Sequence, residues 1–144
     1  MNVKNEHEVI ILTNVEKYKK WLEMAEEDLD TASVMFESGK YMYVSFMCQQ
    51  ALEKLSKGIY VYTFDKEAPF THNINVLLKD IDKIINSNEY KEYETLFATL
   101  TSFYIIGRYD VYKQKVSKKL DNKSSKELLS KSKEAFLWLK SLQK

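Results

Sequence analysis

The sequence predicts an all-α protein, an up-and-down bundle of four to five antiparallel helices. The 144 residues include one proline and three glycines, so few positions interrupt a helix. Apolar residues recur at steps of three and four over long stretches, and no stretch alternates as a strand would. Because the loops between these stretches are short, neighbouring helices are expected to run antiparallel.

Length and composition predict a single globular domain over residues 1–144. Hydrophobic residues make up 44% and charged residues 30%, which is typical of a folded chain. The single cysteine, Cys48, cannot form an internal disulfide and fits a reducing compartment. The chain shows no leader peptide, and no apolar run approaches the roughly 18 residues of a membrane span. We therefore expect a cytoplasmic protein without a membrane partner.

The first 12 residues are ambiguous, and a long helix follows them. Val9–Leu12 is a short apolar run, either a short helix or an arm that packs on a partner. Thr13 and Glu16 then match a capping box. The helix after it is expected to cover about 24 residues and to end at Gly39. Its predicted buried face consists of Tyr18, Leu22, Ala25, Leu29, Ala32 and Phe36.

A second helix is predicted from about Lys40 to Thr63. Its apolar residues form one stripe: Val44, Met47, Cys48, Ala51, Leu55, Ile59 and Tyr62. The only proline lies in the loop that follows, at residues 64–70. A shorter helix is expected from Thr71 or His72 to Ile85.

The second half of the chain predicts two further helices. Asn86-Ser87-Asn88 separates the shorter helix from one at about Glu89–Arg108. Residues 109–122 are polar, and we expect them to be loop at least in part. Ser124 and Glu127 match another capping box, which opens a last helix.

Few residues offer metal or nucleophile chemistry. The two histidines, His7 and His72, are far apart, and there is no cysteine pair and no glycine-rich phosphate loop. No serine stands out as a nucleophile. We therefore predict no metal site and no cofactor.

Charge is distributed unevenly along the chain. Residues 113–144 carry ten lysines and three acids, a net charge of +7, against −6 for residues 1–112. A basic final segment would attract phosphate groups. Lysines on the outer face of a terminal helix are also ordinary solvation, and the sequence leaves both interpretations open.

One arginine, Arg108, stands among twenty-one lysines, at the point where an apolar run meets a polar one. A guanidinium holds phosphate or carboxylate through a planar fork that lysine lacks. A polar strip also interrupts the largely apolar second helix: Gln49, Gln50, Glu53, Lys54 and Lys57. We expect this strip to meet a partner subunit or to pair with Asp28 or Arg108.

These residues carry a family resemblance. Helix-spaced positions of the first two helices resemble the HEPN domain family: Trp21, Ala25, Asp28, Leu29 and Ala32, then Tyr41–Phe46, then Gln50, Ala51, Glu53, Lys54 and Lys57. Thr71-His72-Asn73-Ile74 resembles the family's next segment, and Tyr104-x3-Arg108-Tyr109 resembles the Arg-Tyr near the end of its fourth helix. The match runs over residues 18–140 in order.

The resemblance implies a helical bundle, commonly a two-fold dimer, encoded in prokaryotes beside a minimal nucleotidyltransferase. Some members are toxins, metal-independent endoribonucleases with an Arg-x4-6-His motif at the dimer cleft. In that motif the arginine holds phosphate and the histidine transfers protons. Here Lys113, Gln114 and Lys115 occupy the positions where the histidine would stand. The arginine is retained and the base is missing.

Candidate substitutes for the base are Tyr109, Asp110 and Tyr112. Lys113 offers a charge for phosphate binding, but an exposed lysine is a poor base because it stays protonated near pH 7. His72 either approaches Arg108 or caps and orients the third helix. As catalytic candidates we take Arg108, Asp110 and Lys113. The phosphate-binding candidates are Arg108, Tyr109, Lys57 and Lys54, with Gln50, Glu53 and Asp28 as the polar strip.

Three functions remain open at this point. The first is a dimeric module that binds nucleotide or RNA and partners a nucleotidyltransferase in a toxin–antitoxin-like pair. The second is an endoribonuclease toxin with a non-standard base. The third is a structural dimer whose aromatic-rich surface serves another partner.

Overall fold

The computed structural model describes residues 2–4 and 9–143, and the side chains of all of these except 2–4, 9–10 and 110–112. The elements in chain order are β1 (Asn2–Lys4), β2 (Val9–Ile11), α1 (Asn14–Glu37), α2 (Tyr41–Phe64), α3 (Ile74–Leu78), α4 (Asp82–Ile85), α5 (Asn88–Ile106), α6 (Asp110–Lys119) and α7 (Asn122–Ser141). The predicted all-α class is confirmed: four long helices, α1, α2, α5 and α7, form the bundle.

Helix α2 is the centre of the bundle. It packs along α1 over most of its length and also contacts α7, α5 and α3. Most of the core side chains with no exposure are apolar residues of α2 and of the helices around it: Cys48, Leu52, Leu55, Ile59, Leu77, Phe97, Leu100 and Leu139. Most of the predicted apolar stripe of this helix is buried, but Tyr62 is 38% exposed and packs edge-on against Tyr18. Burial raises the pKa of the Cys48 thiol to about 11.

The N-terminal segment contains two short strands. Asn2 pairs with Ile11 and Lys4 with Val9 in an antiparallel ribbon. The short-helix alternative for Val9–Leu12 is therefore wrong for residues 9–11. A run of β-branched residues favours an extended backbone, and four residues are too few to form a stable helical turn.

The ends of α1 follow the predicted signals. The Thr13 amide donates to Glu16 Oε1 at 3.1 Å, and the Glu16 amide donates to Thr13 Oγ1 at 3.2 Å. The hydrogen bond from the Thr13 backbone lowers the pKa of Glu16. At the other end Gly39 adopts φ +73°, the left-handed conformation that terminates many helices.

The single helix expected up to Ile85 is two short helices. Asn73 caps α3 with its side chain, accepting from the Val76 amide at 3.3 Å. The helix then stops, and Ile81 enters the core from an extended backbone before α4 begins. The spacing of apolar residues does not distinguish one long helix from two short ones, because a residue can be buried in the core without a helical backbone.

Two boundaries in the last third of the chain also differ from the prediction. Of residues 109–122, expected to be loop at least in part, residues 109, 120 and 121 are outside helices and residues 110–119 form α6. Val116 and Leu120 bury their side chains despite the polar composition. Helix α7 begins one turn earlier than predicted. Asp121 and Ser124 form its capping box, with the Ser124 amide donating to Asp121 Oδ1 at 2.8 Å.

Across residues 2–4 and 9–143, none of the helices combines the length and the apolar character that crossing a membrane requires.

Candidate functional site

The polar strip of α2 is buried or half-buried in the bundle, and its side chains connect separate segments. Gln49 has no exposed surface. Its Nε2 donates to the His72 carbonyl at 2.6 Å, and its Oε1 accepts from the Thr101 hydroxyl at 3.2 Å. A buried amide is tolerated only when its donors and acceptor have partners. Gln49 therefore links α2 to the segment before α3 and to α5.

Glu53 is a buried carboxylate with two partners. It is 3% exposed, and its two oxygens lie 3.0 Å from Lys57 Nζ and 3.0 Å from His72 Nδ1. An ionised carboxylate only accepts hydrogen bonds, so it selects the His72 tautomer with a proton on Nδ1. In the neutral ring this leaves Nε2 as a lone-pair acceptor. The His72 side chain is 39% exposed.

Tyr104 connects His72 to Arg108. Its ring lies 5.1 Å from the His72 ring, and its hydroxyl accepts from Gln50 Nε2 at 2.8 Å. The Arg108 guanidinium lies over the same ring, 5.9 Å from its centroid, in cation–π geometry. Contacts thus run without interruption through a set that we call the Arg108–His72 face: Gln50, Glu53, Lys57, His72, Tyr104 and Arg108.

The end of α5 places Arg108 on this face. Gly107 ends the helix and is buried, and a Cβ there would lie 2.8 Å from the Phe103 carbonyl oxygen and 2.9 Å from the Phe46 ring. Phe46 in turn packs edge-on against Tyr104, with ring centroids 5.9 Å apart. Glycine therefore lets the end of α5 approach Phe46 closely. Arg108 follows at once, with its side chain exposed.

The other described residues predicted for the site either form an ion pair of their own or lie outside the Arg108–His72 face. Lys54 pairs with Asp28 at 2.6 Å between α1 and α2, which is one of the pairings expected for the strip. Tyr109 is 61% exposed and lines a cavity of about 520 Å³ between α5 and α6. Lys113 is half-buried in the first turn of α6. The side chains of Asp110 and Tyr112, and all of His7, lie outside the described residues.

Sequence reasoning did not assign Thr101 or the carboxylate partner of His72. Thr101 lies on the buried side of α5, and the spacing of apolar residues on that side gives no indication of its polar contact. The pairing of Glu53 with His72 joins residues nineteen positions apart. No pattern in the sequence indicates this pairing.

Comparisons with known proteins agree with this architecture. The chain resembles the crystal structure of TT1696 from Thermus thermophilus with a TM-score of 0.72 and 22% sequence identity, over 87% of this chain and 97% of that chain. At this identity the likeness shows a shared fold. No curated protein matches the chain. The model of the HEPN domain matches residues 18–142, nearly the whole chain, and the protein therefore belongs to the HEPN domain family.

Proposed function

We propose that this protein is a dimeric binding module that holds a phosphate group of a nucleotide or RNA at Arg108 and partners a minimal nucleotidyltransferase in a toxin–antitoxin-like pair. One observation carries the phosphate assignment. Arg108 is exposed and rests on the Tyr104 ring, yet no carboxylate within the described part of the chain lies at ion-pair distance from it. The guanidinium therefore rests on an aromatic ring and has no carboxylate partner among the described side chains.

The surroundings of Arg108 support an anion rather than a cation. The nearest carboxylate of the Arg108–His72 face, Glu53, is already paired with Lys57 and His72. Lysines of α6 and α7 follow in sequence and add to the positive field. The dimer and the nucleotidyltransferase partner rest on the family, in which both are common.

Substitution of Arg108 with alanine is expected to weaken binding of a short single-stranded RNA about tenfold, because a charge-assisted bidentate contact is lost. Arg108→Lys should recover only part of the affinity, since an ammonium lacks the fork. Fluorescence anisotropy with a labelled oligonucleotide and with a labelled nucleotide measures both. Lys20→Ala, at an exposed position on α1, is the matched control and should change little. Equal affinities for wild type and Arg108→Ala would contradict the phosphate site.

A second function, RNA cleavage, is favoured by the geometry of His72. Glu53 holds its Nδ1, so Nε2 is available to accept a proton beside the aromatic ring that carries Arg108. In this alternative His72 replaces the base absent from positions 113–115, and Asp110 and Lys113 become less attractive candidates.

If the alternative is correct, the protein cleaves RNA without added metal and leaves 2′,3′-cyclic phosphate ends. His72→Ala and Arg108→Ala should each reduce the cleavage rate at least about a hundredfold, the range in which single acid–base and charge-stabilising groups act. Gel analysis of an end-labelled RNA in the presence of a chelator measures the rate. Cleavage that persists in Arg108→Ala would exclude this site.

A further inference from the structure

Tyr104 carries a hydroxyl group on the Arg108–His72 face. Its ring has three close neighbours: the Phe46 ring packs edge-on at 5.9 Å, the His72 ring lies at 5.1 Å, and the Arg108 guanidinium lies 5.9 Å from the ring centroid. These neighbours belong to α2, to the segment before α3 and to the end of α5. Packing from three segments restricts the rotation of the ring. The position of the hydroxyl is therefore set by the bundle before any ligand binds.

A hydrogen bond from Gln50 fixes the role of the Tyr104 oxygen. Gln50 Nε2 donates to this oxygen at 2.8 Å. An amide nitrogen has no lone pair to offer, so the phenolic proton of Tyr104 does not point back along the same bond. In the part of the chain that the structure describes, Tyr104 makes no other hydrogen bond. The half-buried hydroxyl is therefore a donor that lacks a protein acceptor there.

The chemistry around this donor favours an anion with several oxygen acceptors. The Arg108 guanidinium lies over the ring that bears the hydroxyl, so one phosphate group can contact both. Glu53 does not compete for the phenolic proton, because its two oxygens are bonded to Lys57 and His72. A hydrogen bond to a charged oxygen is about twice as strong as one between neutral groups. A phosphate at Arg108 is therefore the acceptor that best matches the Tyr104 hydroxyl.

We propose that the Tyr104 hydroxyl is a second phosphate-binding donor of this face, and that it donates to an unbridged oxygen of the phosphate that Arg108 holds. This role rests on the proposed function, since it requires a phosphate at Arg108. Gln50 is a positioning residue: its amide occupies the acceptor side of the hydroxyl and keeps the proton turned toward the ligand. The fork of Arg108 supplies the charge, and Tyr104 supplies one hydrogen bond of fixed direction.

Tyr104→Phe tests the proposal, because it removes the hydroxyl and keeps the ring on which Arg108 rests. Binding of a labelled single-stranded RNA, measured by fluorescence anisotropy, should weaken about tenfold, the effect of one lost hydrogen bond to a charged group. Tyr62→Phe removes the hydroxyl of a partly exposed tyrosine near the C-terminal end of α2 and is the matched control. It should change the affinity less than about twofold. Thermal melting verifies that both variants are folded. Unchanged affinity in Tyr104→Phe overturns the proposal.

The same measurement in an Arg108→Ala background separates this proposal from the proposed function. If both donors hold one phosphate, Tyr104→Phe should cost less than about threefold in that background, because a phosphate released by the fork is no longer held against the hydroxyl. An equal loss in both backgrounds would place the two donors on different groups of the ligand and overturn the proposal. Wild-type affinity in Arg108→Ala would contradict the proposed function. A loss in Arg108→Ala without a loss in Tyr104→Phe would contradict the role of Tyr104 alone.

Gln50→Glu tests the positioning role while Tyr104 stays in place. A carboxylate accepts the phenolic proton and turns it away from the ligand, so binding should weaken at least about tenfold. The added negative charge also weakens binding, and its share is measured in the Tyr104→Phe background, where no phenolic proton remains. The loss in that background should be smaller. An equal loss in both backgrounds would mean that the charge alone acts, and it would overturn the assignment of Gln50 as a positioning residue.

Discussion

Replacing Gly58 with alanine is expected to lower the free energy of unfolding by about 2 kcal/mol, although alanine is the better helix former. Gly58 lies within α2, where the helix crosses α1. A Cβ there would lie 2.7 Å from Trp21 Cβ and 3.3 Å from a Tyr18 ring carbon. Carbon atoms pack at about 3.5–4.0 Å, so α1 and α2 must separate. Trp21 Cβ is fixed to its backbone, and no change of rotamer relieves the contact.

The higher helix propensity of alanine would change the stability in the opposite direction. Alanine gains up to about 1 kcal/mol over glycine in a helix interior. We expect the steric cost to exceed this gain, because α1 and α2 form the most extensive helix pair of the bundle. Urea unfolding followed by circular dichroism measures the difference. A Gly58→Ala protein as stable as wild type, or more stable, would show that the two helices are free to move apart.

Gly39→Ala is the matched control for this substitution. Gly39 has no heavy atom within 4 Å of an added Cβ, but its φ of +73° disfavours alanine. Its expected cost is about 1 kcal/mol, due to backbone strain alone. Gly39→Asn should recover part of that loss, since asparagine tolerates the left-handed conformation, whereas Gly58→Asn should not recover any.

Long apolar periodicity was sufficient to predict the four helices of the bundle and most of their buried faces. Prediction failed where a few buried residues decide the local structure. Among the described side chains of this segment, Val116 in α6 and Leu120 at its end are buried. At the start of α7, two overlapping capping patterns are present in the sequence, and Asp121, not Ser124, is the cap.

The sequence identifies several residues of the candidate site, but it does not predict which of them contact one another. The polar strip and Arg108 are visible in the sequence because each is an exception to its surroundings. That His72 reaches Glu53, and that Tyr104 lies between His72 and Arg108, depends on how α3 and α5 approach α2. Such approaches are set by side-chain volumes across helices, which a pattern along one chain does not contain.

Glu53 has the largest expected effect among the residues of the Arg108–His72 face. Glu53→Ala is expected to cost about 3 kcal/mol of unfolding free energy, because it leaves the largely buried Lys57 ammonium without an acceptor and removes the partner of His72 Nδ1, whose side chain is 39% exposed. The Lys57 side chain is 17% exposed, so its ammonium is only partly reached by water. Glu53→Gln should cost less, since the amide oxygen replaces one of the two acceptors.

A surface pair supplies the comparison. Glu53 and Lys57 both lie on α2, whereas Lys140 and Glu26 join two helices, at 3.4 Å. The side chains of Lys140 and Glu26 are 42% and 47% exposed. Glu26→Ala should therefore change stability by less than about 0.5 kcal/mol. Both substitutions remove a glutamate that bonds a lysine. The ratio of the two losses of stability therefore tests the effect of burial directly.

A double-mutant cycle measures the interaction between Glu53 and Lys57 separately from the other contacts of Glu53. Because His72 remains without its acceptor when Lys57 is also replaced, Glu53→Ala/Lys57→Ala should recover only part of the loss, with a coupling of about 1–2 kcal/mol. Denaturant unfolding of the four proteins gives the coupling. A Glu53→Ala loss as small as that of Glu26→Ala would mean that water reaches Lys57 and His72 freely. In that case the carboxylate would not fix the His72 tautomer, and the basis for assigning proton transfer to Nε2 would be removed.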